Sequence, residues 1–511
     1  MRKHRTAALA AATFLLVAGA GIVTAPAAHA GVPGSTRAGD RNCDFDGDGH
    51  DDVLVGAPGA TVDGRPAAGL VTVQYGSPRG IGTGTGTGAG RAAVLSQNTP
   101  GVPGAAETGD AFGKAVATGD LDGDGYDDAI VGAPGEDIGT TVDSGGAVIL
   151  WGSPKGLVGS RSQWVDSLLG PAAGARFGSA FAAARFTAES PGDQLIVLDR
   201  RYVEWHRFAP APQPGAARED RAAPLIRTSP NSPQADADPP RELVAKSLTT
   251  GDHDGDGFAD LVVGGVTAGA EPGHGWSWYL SGGRDALTFE RELRGGPATA
   301  SGDIDGDGYD DLVTGEPHSP DDGGESMTGG LVGVYLGGPQ GPAGVDGVGT
   351  PPRWWTQDSP GVPGASERGD GWGSDLSVAD TNGDGYADVA IGAPGEDIGS
   401  VADAGTVTLL RGTPAGATGS GARSWTQDSS SVPGAVERGD RFGTQVRLFD
   451  TDGDGRFGLL AAAPGENTGD GHVWVFPGAP GGPTAVGSWT YAAGSLGASS
   501  VDARFGEAID E

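Results

Sequence analysis

Asp44-Phe45-Asp46-Gly47-Asp48-Gly49-His50-Asp51-Asp52 runs straight into Val53-Leu54-Val55 and stops at Gly56-Ala57-Pro58. A tight acidic loop that feeds a short apolar run closed by glycine and proline reads as loop, strand, stop. The nine-residue pattern Asp-x-Asp-Gly-Asp-Gly-x-x-Asp begins again at Asp120, Asp252 and Asp303. A variant begins at Asp380, with Asn382 at its third position, and a damaged copy begins at Asp450, where Gly458 replaces the last aspartate. Recurrence at this scale signals a repeat architecture, in which each unit buries its apolar face against its neighbours.

A second marker precedes the loops. Phe112-Gly113, Trp372-Gly373 and Phe442-Gly443 each lie eight residues before a first loop aspartate. Phe177-Gly178 has the same form, but Arg185 stands where an acidic loop would start, and Gln194-Leu195-Ile196-Val197-Leu198 still reads as a strand. This is a seventh unit that has lost its loop acids. Strands such as Leu70–Tyr75, Ala147–Trp151 and Val473–Phe476 follow the stops, and a weaker fourth strand carries Thr-Gln, as in Trp355-Thr356-Gln357. Four strands per unit and seven units predict an all-β, seven-bladed β-propeller over residues 40–511. Phe505-Gly506 has no loop after it and Asp44 has no aromatic-Gly before it, so the two chain ends are expected to share one blade, removing open sheet edges.

Composition narrows the function classes. The 511 residues hold 67 acidic and 33 basic side chains, a formal charge of −34 that argues against nucleic-acid binding. Arg2, Lys3 and Arg5, the apolar run Ala7–Ala25 and Ala28-His29-Ala30 predict a signal peptide over 1–30, followed by a flexible segment 31–39 and a secreted, extracellular chain. No other stretch is long enough to span a bilayer. Cys43 is the single cysteine, so internal disulfides cannot stabilise the chain. Residues 209–243, rich in Pro, Ala and Arg, are expected to be a loop insertion.

The loops suit a hard divalent cation, because calcium takes six to eight oxygens from carboxylates and carbonyls. The expected ligands of the first loop are Asp44, Asp46, Asp48, the carbonyl of His50, and Asp52. Those of the second are Asp120, Asp122, Asp124, Tyr126 and Asp128. The set continues with Asp252, Asp254, Asp256, Phe258 and Asp260, then Asp303, Asp305, Asp307, Tyr309 and Asp311, then Asp380, Asn382, Asp384, Tyr386 and Asp388. Asp450, Asp452 and Asp454 make a weaker sixth site. About five Ca2+ ions with a structural role are therefore expected.

The aromatic-Gly strand, acidic loop and Gly-Ala-Pro stop resemble FG-GAP repeats, the units of the integrin α-subunit propeller and of related bacterial exported proteins. They are also similar to the propeller part of glycosylphosphatidylinositol-specific phospholipase D. The resemblance implies calcium loops on one face and a protein or glycan partner. Long acidic loops such as Glu136–Asp143 and Glu396–Asp403 would emerge on the opposite face, which is the expected binding surface. Arg368-Gly369-Asp370 and Arg438-Gly439-Asp440 match Thr108-Gly109-Asp110 of another unit, so Gly-Asp belongs to the repeat.

No Gly-x-Ser-x-Gly or His-Glu-x-x-His motif is present, and no catalytic residue is assigned. The expected function is a monomeric protein-binding or adhesion module. Two alternatives stand beside it: a glycan-binding propeller with Trp354, Trp355 and Trp425 as stacking platforms, and a cryptic hydrolase related to phospholipase D propeller proteins.

Overall fold

The computed structural model describes residues 43–82, 90–190, 192–209, 218–227, 241–268, 272–318 and 328–510. The expected signal peptide 1–30 and the segment 31–39 lie outside the described residues. Among the described residues, seven four-stranded antiparallel sheets are arranged in a ring. Blades 2 to 7 are each continuous in sequence, and in each the first strand is the innermost. In blade 2 the order outward is Val116–Gly119, Asp128–Ala133, Gly146–Leu150 and Ser162–Val165. Blade 1 consists of Val53–Ala57, Leu70–Gln74 and Ala92–Leu95, with Ala508–Ile509 on its inner side, where Val55 faces Ile509 and Gly56 faces Ala508.

Most second strands are buried on both faces, which explains their unbroken Val, Ile, Leu and Ala runs, as in Val53–Ala57 and Asp128–Ala133. Outside blade 3 the outermost strands are partly exposed, and that of blade 4, Thr288–Arg294, is strongly polar. Blade 3 keeps the same plan. Arg218–Arg227, within the stretch expected to be an insertion, pairs with Tyr202–Ala209 and is the blade's fourth strand.

The aromatic-Gly pair joins one blade to the next. Phe112, Phe177, Trp372, Phe442 and Phe505 are fully buried. Phe112 N–H donates to the Ala68 carbonyl of blade 1 at 3.0 Å, and Phe442 N–H donates to Ala404 O of blade 6 at 2.9 Å. The glycine that follows then meets the stop glycine of the preceding blade. A Cβ on Gly56 would lie 2.0 Å from the Gly113 carbonyl oxygen, and one on Gly392 would lie 2.0 Å from that of Gly443. Both repeat glycines are therefore fixed by a backbone-to-backbone approach between blades.

Candidate metal centres

Each acidic loop leads into the second strand of its blade, from the innermost strand in blades 2, 4, 5, 6 and 7 and from the preceding chain in blade 1, so all the loops open on one face of the ring. Their first aspartate shapes the turn. Asp303 accepts N–H bonds from Gly306, Asp307 and Gly308 at 2.7, 3.1 and 3.0 Å, and Asp44 and Asp380 repeat this arrangement in their own loops. The curl requires left-handed backbone at the fourth and sixth positions, where Gly47 and Gly49 have φ of 72° and 88°. The fifth-position carboxylate then accepts the N–H of the seventh residue, as Asp307 does from Tyr309 at 3.0 Å.

The ninth aspartate closes the loop from inside. Asp52 accepts Phe45 N–H at 3.0 Å and Gly76 N–H at 2.8 Å, tying the loop to the end of the next strand. Asp128, Asp260 and Asp311 do the same with Leu121 and Gly152, His253 and Gly282, and Ile304 and Gly337. All four are buried.

Carboxylate oxygens converge within 4.8 Å of one another in five groups: Asp44, Asp46 and Asp48; Asp120, Asp122 and Asp128; Asp252, Asp254 and Asp256; Asp303, Asp305 and Asp311; and Asp450, Asp452 and Asp454. The blade 6 loop is built differently. Asn382 contributes an amide, and Arg411 Nη1 donates to Asp388 Oδ2 at 2.7 Å and to Thr381 Oγ1 at 3.0 Å. The carboxylates at Asp380, Asp384 and Asp388 form no such triad among the described residues. The damaged copy at Asp450, by contrast, does gather its three acids.

These groups fit a bound cation. Asp46 Oδ1, Asp252 Oδ1 and Asn382 Oδ1 are buried and have no hydrogen-bond partner. Burial, reinforced by the neighbouring carboxylates, holds several loop acids above the usual carboxylate range. Asp120 and Asp124 rise to about 6, Asp311 to about 7 and Asp52 to about 9. Like charges held this close in a partly dry site are relieved by a cation or a proton. The donors are all oxygen, which is the preference of a hard ion.

A second set of aspartates, at the eighth position, has a role that the single-repeat pattern does not reveal. Asp127 of blade 2 accepts the N–H of Asp44 in blade 1 at 3.0 Å. Asp310 takes that of Asp252 at 2.8 Å, and Asp51 takes that of Asp450 at 2.8 Å across 399 residues. Blade 3 keeps this stitch without its loop acids, because Asp193 accepts Asp120 N–H at 3.2 Å. There Gln194 replaces the ninth aspartate and bonds Thr187 Oγ1 and O at 2.9 and 3.1 Å. The Asp-Asp doublets at 51–52, 127–128 and 310–311 were the available sequence signal.

On the opposite face, three junctions share another contact between blades. Gln97, Gln357 and Gln427 donate to Glu136, Glu396 and Glu466 at 2.7, 2.7 and 2.5 Å. Burial, with Asp110 and Glu107 beside Glu136 and their counterparts at the other two junctions, raises each glutamate to about 7. These acids are therefore fastened between blades and are not free surface charges. Asp370 and Asp440 of the two Arg-Gly-Asp triplets are also buried, and each accepts a backbone N–H at 2.6 Å, from Glu367 and Glu437. Trp355 and Trp425 are buried too and Trp354 is half-buried, which weakens the glycan-binding alternative, since it needed all three exposed as stacking platforms. Trp355 packs in the apolar cluster shared by blades 5 and 6, and Trp425 in the one shared by blades 6 and 7, where its ring meets Phe476.

Seven antiparallel sheets around an axis, with loop acids gathered on one face, define a seven-bladed β-propeller. The FG-GAP repeat family model matches residues 42–73, 112–151, 295–328 and 372–410. Over 119 residues the chain is 32% identical to the phosphatidylinositol-glycan-specific phospholipase D of Mus musculus, and the Rattus norvegicus protein matches equally. That stretch covers 23% of this chain and 13% of the length of those relatives. Among solved structures, the Aleuria aurantia lectin complexed with alpha-methyl-L-fucoside aligns at 8% identity and a TM-score of 0.34, over 74% of this chain and 93% of the lectin. The Bacillus licheniformis rhamnogalacturonan lyase aligns at 14% identity and a TM-score of 0.30, over 82% and 84%. Among the described residues, no helix is long and apolar enough to cross a membrane.

Proposed function

We propose that this chain is an exported, calcium-stabilised FG-GAP propeller that serves as a protein-binding or adhesion module. The observation that carries the calcium reading is the fivefold recurrence of converging carboxylates, with buried oxygens left unpartnered at Asp46 and Asp252. The residues that would hold the ion are those of the five clusters, where it would supply positive charge beyond what Arg91 gives Asp46 and Arg456 gives Asp454. Export is supported by the basic, apolar and small-residue order of residues 1–30, and calcium would then take the place of the disulfides that one cysteine cannot form.

At about 1 mM calcium, a site with a dissociation constant of about 0.1 mM adds about 1.4 kcal/mol. Five such sites together reach about 7 kcal/mol, comparable with a whole domain's stability. The test is thermal melting of the chain in calcium, in magnesium and in excess EGTA, with bound metal counted by native mass spectrometry. The expected result is four or five calcium ions per chain and a melting temperature lower by on the order of 10 °C in EGTA. An identical melting temperature in calcium and EGTA would overturn the reading.

A further inference from the structure

On the axis of the ring lies a chamber of about 300 Å³, walled by the innermost strands of all seven blades. Its charged side chains are Lys114, Lys246, Arg447, Asp375 and Glu507. A groove at its rim shares Lys114 and Glu507 and adds Arg176, Arg504 and Asp502. The chamber and its mouth thus carry five basic groups against three acidic ones, in a chain that has 33 basic and 67 acidic residues. This local inversion of charge concentrates anions where the surrounding surface repels them.

Most of these cations are already engaged. Lys114 is paired with Glu507, Arg447 with Asp375 at 2.7 Å, Arg504 with Glu507 at 3.6 Å, and Arg176 with Asp143 at 3.7 Å. Lys246, exposed on the innermost strand of blade 4, has no ion pair or hydrogen bond among the described residues. The chamber lining also includes Ser247 and Thr299, whose hydroxyls are 3.1 Å apart and bonded to each other with lone pairs left to accept, together with the mostly buried Thr249 and Phe181. Alternating hydroxyl and apolar surface around one free ammonium matches a small polyhydroxylated ring that bears a carboxylate.

We propose that the axial chamber is a binding site for a carboxylated sugar ring, with Lys246 supplying the counter-charge and the neighbouring hydroxyls bonding the ring. The volume admits one such ring and excludes a folded partner. This proposal rests on the binding-module reading but not on calcium, so the two fail separately: one is read at the axis by ligand titration, the other at the loops by melting.

The test is calorimetric titration of the full chain, in excess calcium, with D-glucuronate as the probe and with D-glucose and succinate as controls. The expected result is saturable one-to-one binding of glucuronate, tighter than either control. Lys246→Gln should weaken it about tenfold, the loss of one charge-assisted bond, without changing the melting temperature. Lys155→Gln, at an exposed lysine away from the axis, should leave it unchanged. The proposal is overturned by absent or unsaturable glucuronate binding, by equal binding of glucose or succinate, or by undiminished binding in Lys246→Gln.

Discussion

Replacing Glu136, Glu396 and Glu466 together by glutamine should flatten the pH dependence of stability. Each glutamate accepts one amide N–H from a glutamine of the neighbouring blade, and burial next to other acids raises it from 4.5 to about 7. A carboxyl that holds its proton more tightly when folded favours the folded state fully below about pH 4.5. That advantage disappears as the pH rises through about 7, so the parent chain should weaken between pH 5 and pH 8. At full weight a rise from 4.5 to about 7 is worth about 3.4 kcal/mol. Solvent reaching these side chains reduces it to about 1 kcal/mol each, or about 3 kcal/mol for the three junctions. Glutamine keeps an oxygen to accept the same N–H and carries no charge. The triple variant should therefore match the parent at pH 5 and exceed it by about 3 kcal/mol at pH 8. Urea unfolding at pH 5, 6, 7 and 8 in excess calcium provides the comparison. Parallel curves for the parent and the variant would refute the reasoning, because the junction acids would then contribute nothing to the slope.

The stitch between blades 7 and 1 separates hydrogen bonding from charge. Asp51→Ala strands the N–H of Asp450 and should cost about 1–3 kcal/mol in denaturant unfolding, whereas Asp51→Asn retains the acceptor and should cost less than about 0.5 kcal/mol. Gly56→Ala would drive a methyl to 2.0 Å from the Gly113 carbonyl and should destabilise the chain by about 3 kcal/mol or more, measured in the same way. Gly64→Ala meets open space and bears only the strain of φ 78°, so its cost should be about 1 kcal/mol.

The strands and the turn chemistry were legible in the sequence because each depends on neighbours a few residues away. Alternate carboxylates separated by glycine describe a loop that curls on its own N–H groups, and the loop from Asp303 to Asp311 does so. The blade 6 site was harder to see. Arg411 reaches Asp388 from 23 residues away, and nothing in the nine-residue pattern announces a guanidinium on its last acid. The burial of Trp355 and Trp425 was undecided for a related reason, since an aromatic on an outer strand reads the same whether it faces solvent or the next blade.

The repeat itself, its four-strand unit and the acids of each loop are properties of the amino-acid order, fixed by contacts within a single unit. The joints between units belong to the tertiary structure. Gln97 meets Glu136, Gln357 meets Glu396 and Gln427 meets Glu466 at a constant separation of 39 residues, a regularity that acquires meaning only when two blades lie side by side. Asp51 finds Asp450 only once the first and last blades are adjacent, and the axial chamber around Lys246 exists only when seven innermost strands face a common axis. Local chemistry is written along the chain, whereas a partner hundreds of residues away is chosen by the geometry of the ring.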